Sequence, residues 1–325
     1  MTALITILSI LLLFVVLLQI AKINEITAEM RGQEETDLHS ADQNGRWLLI
    51  FGVVFIGSFI WGSLYYANRL LGYGPLKAAS EHGSSIDSMF NVTLIFTGIV
   101  FLICHVALFW FSYKYRYTPG RKALFLPHDN RLEVIWTALP ALVMTILVVQ
   151  GLVTWNKVMA DVTKGEDFIE IEATGWQFAW NLRYPGHDGK LGVKDFRLIK
   201  PGVNELGQDW NDERNHDDFN ADELVIPKGK KIRVRIIARD VLHNFYLPHF
   251  RMKMDCVPGV PTGIGFTPTM TNDETRELLK SNKHWASIDP ETNEPRYMKF
   301  NYELACAELC GKSHYGMMMP AHVVS

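Results

Sequence analysis

Apolar and polar positions follow two different rhythms along this chain, and the change falls near its middle. In the first half the apolar residues come in long unbroken runs. Four stretches lack Asp, Glu, Lys and Arg altogether: Met1–Ala21, Trp47–Asn68, Ser88–Tyr113 and Val134–Asn156. Crossing a hydrocarbon layer of about 30 Å takes about 20 apolar residues in a helix. A lipid-exposed backbone must satisfy its own hydrogen bonds, so each run predicts a membrane-spanning helix. The first run has no basic segment before it and no A-x-A site after it, which reads as a retained span rather than a cleaved signal peptide.

From about Val162 the pattern changes to period two. "DFIEIEATGWQFAW" and "KIRVRIIARDV" alternate apolar with polar residues, as half-buried strands do. Pro227, Gly229, Pro258, Gly259, Pro261 and Gly263 punctuate the alternation. An antiparallel β-sandwich is predicted. Two stretches look like insertions on its surface: the acidic "DWNDERNHDDFNADE" at 209–223, and 271–299, which opens with the helical-looking "TNDETRELLKSNKHW".

Charge sets the orientation. Lys22, Arg31 and Arg46 lie between the first two runs, and Lys114, Arg116, Arg121, Lys122 and Arg131 between the last two. The middle connection offers only Arg69 and Lys77. Cytoplasmic loops collect Lys and Arg, so both termini and the β domain are expected on the outer side. The net charge of −3 supplies no bulk attraction to nucleic acid. Four cysteines are too few for a disulfide scaffold.

Two of those cysteines stand in "CAELCGKSHYGMM" at 306–318, spaced Cys-x3-Cys-x3-His-x2-Met. Thiolate, imidazole and thioether form a soft ligand set that favours copper over magnesium or calcium. The methionine argues against structural zinc, which takes Cys and His. The competing reading is a disulfide; the neighbouring His314 and Met317 favour a metal. Two thiolates on one loop can bridge two copper ions if a second histidine comes from elsewhere. His243, His249, His284 and His322 are the candidates, and His243 is favoured because it follows a predicted strand.

"CAELCGKSHYGM", "DVLHNFYLPHF" and "DCVPG", with "LEVIWTALPALV" at 132–143 and "GWQFAWNLRYP" at 175–185, resemble subunit II of the cytochrome c oxidases, which carries the dinuclear copper centre CuA. The resemblance covers about residues 88–325. It implies a helical hairpin at 88–158 and a cupredoxin-like, all-β Greek-key domain at 162–325; the two membrane helices read at 1–72 depart from it as additions to the family's usual two. It further implies that Cys306 and Cys310 bridge the coppers, His243 and His314 each add an imidazole, Met317 a thioether and Glu308 its backbone carbonyl. The Glu308 side chain would help to bind magnesium at the contact with subunit I. Glu133 would admit protons, and Phe178 stands where the family has a tryptophan for electron entry, with Trp176 and Trp180 as alternatives.

The implied setting is a bacterial inner membrane. Subunits I and III are the expected partners, a cytochrome c or haem c domain the donor, and a quinol:cytochrome c oxidoreductase such as alternative complex III a larger assembly. The oxygen chemistry must lie in a partner chain. His105 is the one histidine in the predicted spans, where it reads as a packing residue, and no CxxCH motif occurs. The runner-up is a membrane-anchored copper electron carrier outside any oxidase; a copper-sensing or copper-delivery module is a third reading.

Overall fold

The computed structural model describes residues 2–66, 77–160 and 167–325. Among the described residues the long helices that come first are α1 (Thr2–Arg31), α2 (Gln33–Tyr66), α3 (Gly83–Lys114) and α4 (Asn130–Val158). Among the described residues three helical stretches are long and apolar enough to cross a membrane, Glu35–Tyr66, Gly83–Lys114 and Asn130–Val158. The run Met1–Ala21 falls on α1, and the side chains of its first ten residues lie outside the described residues. The ends of the Trp47–Asn68 run and of the 1–72 segment lie outside them too. The connection expected between the first two runs is itself helical. Only Gly32, at φ +82°, interrupts the backbone, because "QEETDLHSADQ" is polar but rich in good helix formers.

The chain divides into two compact units, Met1–Tyr66 with Ile95–Ile135, and Ala67–Leu94 with Trp136–Ser325. Inside the first unit α2 runs antiparallel to α3 along an aromatic seam. Phe51 meets Phe109 at 5.9 Å, Phe55 meets His105 at 5.6 Å and Phe59 meets Phe101 at 4.5 Å between ring centres. His105 Nδ1–H donates to the Phe101 carbonyl at 2.8 Å, which fits the packing role read from the sequence.

Inside the second unit the strands are β1 (Phe168–Trp176), β2 (Ala179–Tyr184), β3 (Phe219–Ala221), β4 (Leu224–Pro227), β5 (Lys231–Ala238), β6 (His243–Leu247), β7 (Met252–Cys256), β8 (Thr262–Phe266), β9 (Tyr302–Cys306) and β10 (Met318–Val324). They form two facing five-stranded sheets, in the orders β3-β2-β1-β5-β8 and β4-β10-β9-β6-β7. Alternation along β5 points Ile232, Val234 and Ile236 inward, where they are fully buried with Ile171, Leu182, Phe245 and Leu304. The sandwich is mixed, not antiparallel throughout: β1 pairs parallel with β5, and β10 with the short strand Leu224–Pro227. Period-two alternation records which side faces the core and is blind to strand direction. Long connections make the parallel pairings feasible.

The two insertions are built into the fold rather than lying on it. Arg183 on β2 is 1 % exposed and donates to Glu172 (3.2 Å), Asp218 (2.8 Å), Asn215 (2.8 Å) and the Gly192 carbonyl (3.0 Å). Lys194 adds a 2.6 Å bond to Glu172. The acidic stretch therefore supplies counter-charges to a buried guanidinium, and removing one partner of such a cluster costs about 3–5 kcal/mol. The 271–299 stretch opens with α5 (Asn272–Leu279), whose Thr271 and Glu274 form a reciprocal capping box. Asn272 is buried and bonds the Val323 amide (2.7 Å) and the Ala321 carbonyl (3.1 Å) of β10.

Residues 79–87 are stitched to the same sandwich ahead of the bulk of α3. Ala79 N–H donates to the His249 carbonyl (2.8 Å), Ser80 Oγ to the Phe250 carbonyl (2.6 Å), and Arg251 grips Asp87 with two nitrogens (2.7 and 3.1 Å).

Candidate metal centre

Strand pairing brings the ligands together. β6 pairs antiparallel with β9, placing Phe245 opposite Cys306, so His243 at the start of β6 reaches the end of β9. The loop between β9 and β10 then carries Cys310, His314 and Met317. It is closed at its base by the Cys306 amide on the Met317 carbonyl (3.0 Å), and Ala307 N–H donates to the Asn244 carbonyl (3.2 Å).

The donor atoms converge. Cys306 Sγ lies 3.9 Å from Cys310 Sγ, 3.8 Å from His243 Nδ1 and 3.2 Å from the Glu308 carbonyl oxygen. Cys310 Sγ lies 3.6 Å from His314 Nδ1 and 3.8 Å from Met317 Sδ. A metal–sulfur bond is about 2.3 Å and a metal–imidazole bond about 2.0 Å, so an ion between the sulfurs, or between a sulfur and its imidazole, can reach both. The cluster of His243, Cys306 and Cys310 is buried throughout. Burial, reinforced by the neighbouring Cys306, pushes the Cys310 thiol up to about 11. Metal binding must therefore expel protons that this environment otherwise retains.

The surroundings orient the ligands. His243 is fully buried and its Nε2–H donates to Asp240 Oδ1 at 2.8 Å, leaving Nδ1 for the metal. Asp240 also accepts from the amides of Gln177 (2.8 Å) and Val241 (2.7 Å). Burial alone would raise its carboxyl, but the bonds from His243, Gln177 and Val241 outweigh it and hold it below the usual aspartate range. Gln177 Nε2 donates to the Cys310 carbonyl at 2.6 Å. Gly311, at φ +139°, has room for no side chain: a Cβ there would sit 2.9 Å from Gln177 Nε2 and 3.0 Å from the Phe178 ring.

The expected aromatics divide by depth. Trp180 is a core residue, 5 % exposed, edge-on to His243 at 6.3 Å between ring centres. Phe178 and Trp176 are half-buried. Phe178 faces the loop between β9 and β10 at Gly311, and Trp176 lies under the Arg239 guanidinium at 4.6 Å.

The other candidate histidines have different neighbours. His249 packs on Phe300 and Tyr302, His284 on Trp285, and His322 pairs with Glu223 at 3.3 Å. Met319 is buried in β10, which suits a packing role, whereas Met318 is 58 % exposed and packs against nothing in the core. Glu308 is exposed, and Glu133 sits in the first turn of α4, behind the Asp129 side chain that caps the Leu132 amide. Asp240, Gln177 and Gly311 escaped the sequence reading. Only Asp240 left a signal there, as a carboxylate three residues before a ligand histidine.

Long apolar helices joined to a β-sandwich whose Cys2His2Met donor set is buried except at His314 define a membrane-anchored, cupredoxin-like protein with a candidate metal site. Comparisons with known proteins narrow this. Residues 169–271 match the family model of the cytochrome c oxidase subunit II periplasmic domain, and residues 72–153 match that of its transmembrane domain. The alternative cytochrome c oxidase subunit 2 of Bradyrhizobium diazoefficiens is 32 % identical over 234 residues, covering 71 % of this chain and 73 % of the relative. Cytochrome c oxidase subunit 2 of Thermostichus vulcanus is 27 % identical over 294 residues, covering 83 % and 79 %. A solved periplasmic domain of cytochrome oxidase subunit II from Bradyrhizobium japonicum matches 49 % of this chain and 86 % of its own, at 27 % identity and a TM-score of 0.29. The chain belongs to the cytochrome c oxidase subunit II family. It is the subunit of a haem–copper oxidase complex through which electrons enter.

Proposed function

We propose that this chain accepts electrons from a cytochrome c or a haem c domain at a dinuclear copper centre and passes them to haem in subunit I. The observation that carries the reading is the pairing of donors. His243 lies 3.8 Å from one thiol and His314 lies 3.6 Å from the other, with the thiols 3.9 Å apart. Two sulfurs with one imidazole each suit two ions sharing both thiolates, whereas a single ion would leave one imidazole distant. Met317 and the Glu308 carbonyl complete the proposed set. Such a centre supplies one-electron transfer with little change in geometry. The chain's own residues hold it rigid and dry: Asp240 orients His243, Gln177 fixes the Cys310 carbonyl, and Trp180 packs beneath.

Electron entry is assigned to Phe178, which borders Gly311 beside Cys310, with the equally half-buried Trp176 as the alternative. Trp180 lies too deep to meet a donor and serves as packing. The Glu308 carboxylate, outside the buried cluster, is proposed to share a magnesium ion with subunit I. Glu133 is proposed as the proton entrance at the opposite membrane face, feeding oxygen reduction and proton translocation in subunit I. The proposed setting is the bacterial inner membrane with four spans, both termini and the β domain on the periplasmic side. The segments proposed are 1–72 for two added helices, 88–158 for the hairpin and 162–325 for the copper domain. The added helices and the insertions are proposed to meet subunit III or a quinol:cytochrome c oxidoreductase such as alternative complex III.

The test is copper stoichiometry and electron paramagnetic resonance on the purified complex. Two coppers per chain with a mixed-valence spectrum, both lost in Cys306→Ser together with cytochrome c oxidation, is the expected result. One copper per chain, or turnover surviving the substitution, would refute it. Purification without a haem-bearing partner would favour a free-standing copper carrier instead.

A further inference from the structure

Away from the thiol pair, soft metal ligands meet where the strap of residues 79–87 crosses the start of β7. His82 Nε2 lies 2.9 Å from Met252 Sδ. The backbone fixes both side chains. Glu81 N–H donates to the Thr267 carbonyl (3.1 Å) and Gly83 N–H to the Ser80 carbonyl (3.2 Å), on either side of His82. Arg251, just before Met252, grips Asp87, and Met252 itself is fully buried.

A hydrogen bond alone gives little reason for this pairing, because a thioether sulfur is only a weak acceptor. Burial holds the His82 imidazole below its ordinary value, against the opposing pull of the Glu81 carboxylate. The ring is therefore neutral at neutral pH, which is the form that binds metals. It lines a crevice of about 520 Å³ together with Glu81 and Ser85, so an ion can reach it from solvent.

We propose that His82 and Met252 hold one Cu(I) ion in a mononuclear site separate from the paired thiols. Imidazole with thioether is a soft set that selects Cu(I) over magnesium or calcium, and a thioether is foreign to structural zinc. Bonds of about 2.0 Å to nitrogen and about 2.3 Å to sulfur place the two atoms about 3.7–4.3 Å apart around a trigonal or linear ion. One atom must move by about 1 Å to admit the ion, and the crevice gives the His82 ring that room. Lys157 and Lys231 line the same crevice, so a monovalent ion is opposed less than a divalent one, and the Glu81 charge beside the imidazole offsets them. Alternation along β7 turns Met252, Met254 and Cys256 toward the interior, and Cys256 stands opposite His243. Sulfurs thus line the way from the strap to the metal centre, about 13 Å over four residues of strand. Copper at His82 is too distant to share a ligand with Cys306, and the position suits a store of copper bound for the thiols. That use rests on the copper reading of the thiol pair; the His82 site itself does not.

The experiment titrates the purified, reduced complex with Cu(I) against the chelator bicinchoninate. Cys306→Ser/Cys310→Ser serves as the background, so that metal at the thiol pair does not enter the comparison. His82→Gln and Met252→Leu are then added singly. The background protein should bind one Cu(I) per chain that each added substitution weakens about tenfold or more, since a direct ligand is worth at least as much as an outer-shell partner. Leucine conserves the volume of methionine, and an unchanged thermal unfolding profile shows that the fold is kept. Equal Cu(I) affinity in all three proteins overturns the proposal. So does loss in the His82 variant alone, which removes the thioether from the site, or zinc binding there as tight as Cu(I) binding.

Discussion

Replacing Asp240 tests whether the copper site is held by its ligands alone. The carboxylate uses Oδ1 for the His243 Nε2–H (2.8 Å) and the Val241 amide (2.7 Å), and Oδ2 for the Gln177 amide (2.8 Å). His243 is fully buried, so water does not replace the lost acceptor at its ring, while Asp240 itself is 31 % exposed and its other donors can turn to solvent. Asp240→Ala should therefore cost about 1–3 kcal/mol in folding stability, the penalty of one stranded buried donor. Copper affinity should fall about 10- to 100-fold, the usual effect of losing an outer-shell partner of a metal-bound histidine. Asp240→Asn separates orientation from charge. Its amide oxygen can keep the His243 and Val241 bonds, while its NH2 group opposes the Gln177 N–H, so the loss should be much smaller than for alanine. The assay is chelator competition for copper followed by visible absorption, with thermal unfolding of the copper-free protein alongside. Affinity of Asp240→Ala within about twofold of wild type would refute the argument. So would an asparagine variant as weak as the alanine one.

Four further outcomes follow from single residues. Gly311→Ala should destabilise the domain by about 1–3 kcal/mol and lower its copper occupancy, because φ +139° is strained for alanine and its Cβ meets Gln177 and Phe178; thermal unfolding and metal analysis check this. Burial, and then the Arg251 cation, lower His249 from 6.5 to about 4. The unfolded imidazole therefore takes its proton first, and stability should drop by up to about 3 kcal/mol as pH falls through that window; His249→Phe should remove this part of the acid sensitivity in denaturant titrations at pH 7 and 5. Asn272→Ala should cost about 2 kcal/mol by stranding the Val323 amide and Ala321 carbonyl, measured by unfolding in denaturant, whereas a detachable insertion would show no change. Glu133→Gln should leave copper loading and electron entry from cytochrome c intact and slow steady oxygen consumption; a wild-type rate across pH 6 to 9 would remove it from the proton route.

The proposed copper ligands were readable because their information is local. Four of the proposed side chains lie within twelve consecutive positions, Cys306 to Met317, and soft-ligand chemistry leaves few alternatives at that spacing. β5 was readable for a similar reason, since "KIRVRI" alternates through its first six positions. Other features depend on partners distant in sequence. Arg183 occupies an outward position in "AWNLRY" and looks solvent-facing until Asp218 and Asn215 close over it from the insertion. The parallel pairing of β1 with β5 leaves no trace in either strand's pattern. The second helix begins in a polar stretch that reads as a loop by composition, although its individual residues favour helix.

Gly175 shows how far the site relies on the sandwich beneath it. It belongs to β1, in the sheet opposite the one that carries His243 and Cys306. A Cβ at that position would meet Trp180 at 3.0 Å, Cys256 Sγ at 3.2 Å and His243 Cδ2 at 3.2 Å. Cys256 is fully buried there as a thiol, pushed up to about 12 mainly by burial, so it fills space as a neutral group. The floor under the His243 imidazole is thus a close-packed contact between two sheets, and interiors packed this tightly yield little. One histidine is held from below by that contact and from the side by Asp240, whereas His314 is half-buried on the loop. The two imidazoles therefore have different freedom: a metal held as proposed would meet a rigid ligand on the β6 side and an adjustable one on the loop side, where Leu309 and Tyr315 are more than three-quarters exposed and free to meet a partner surface.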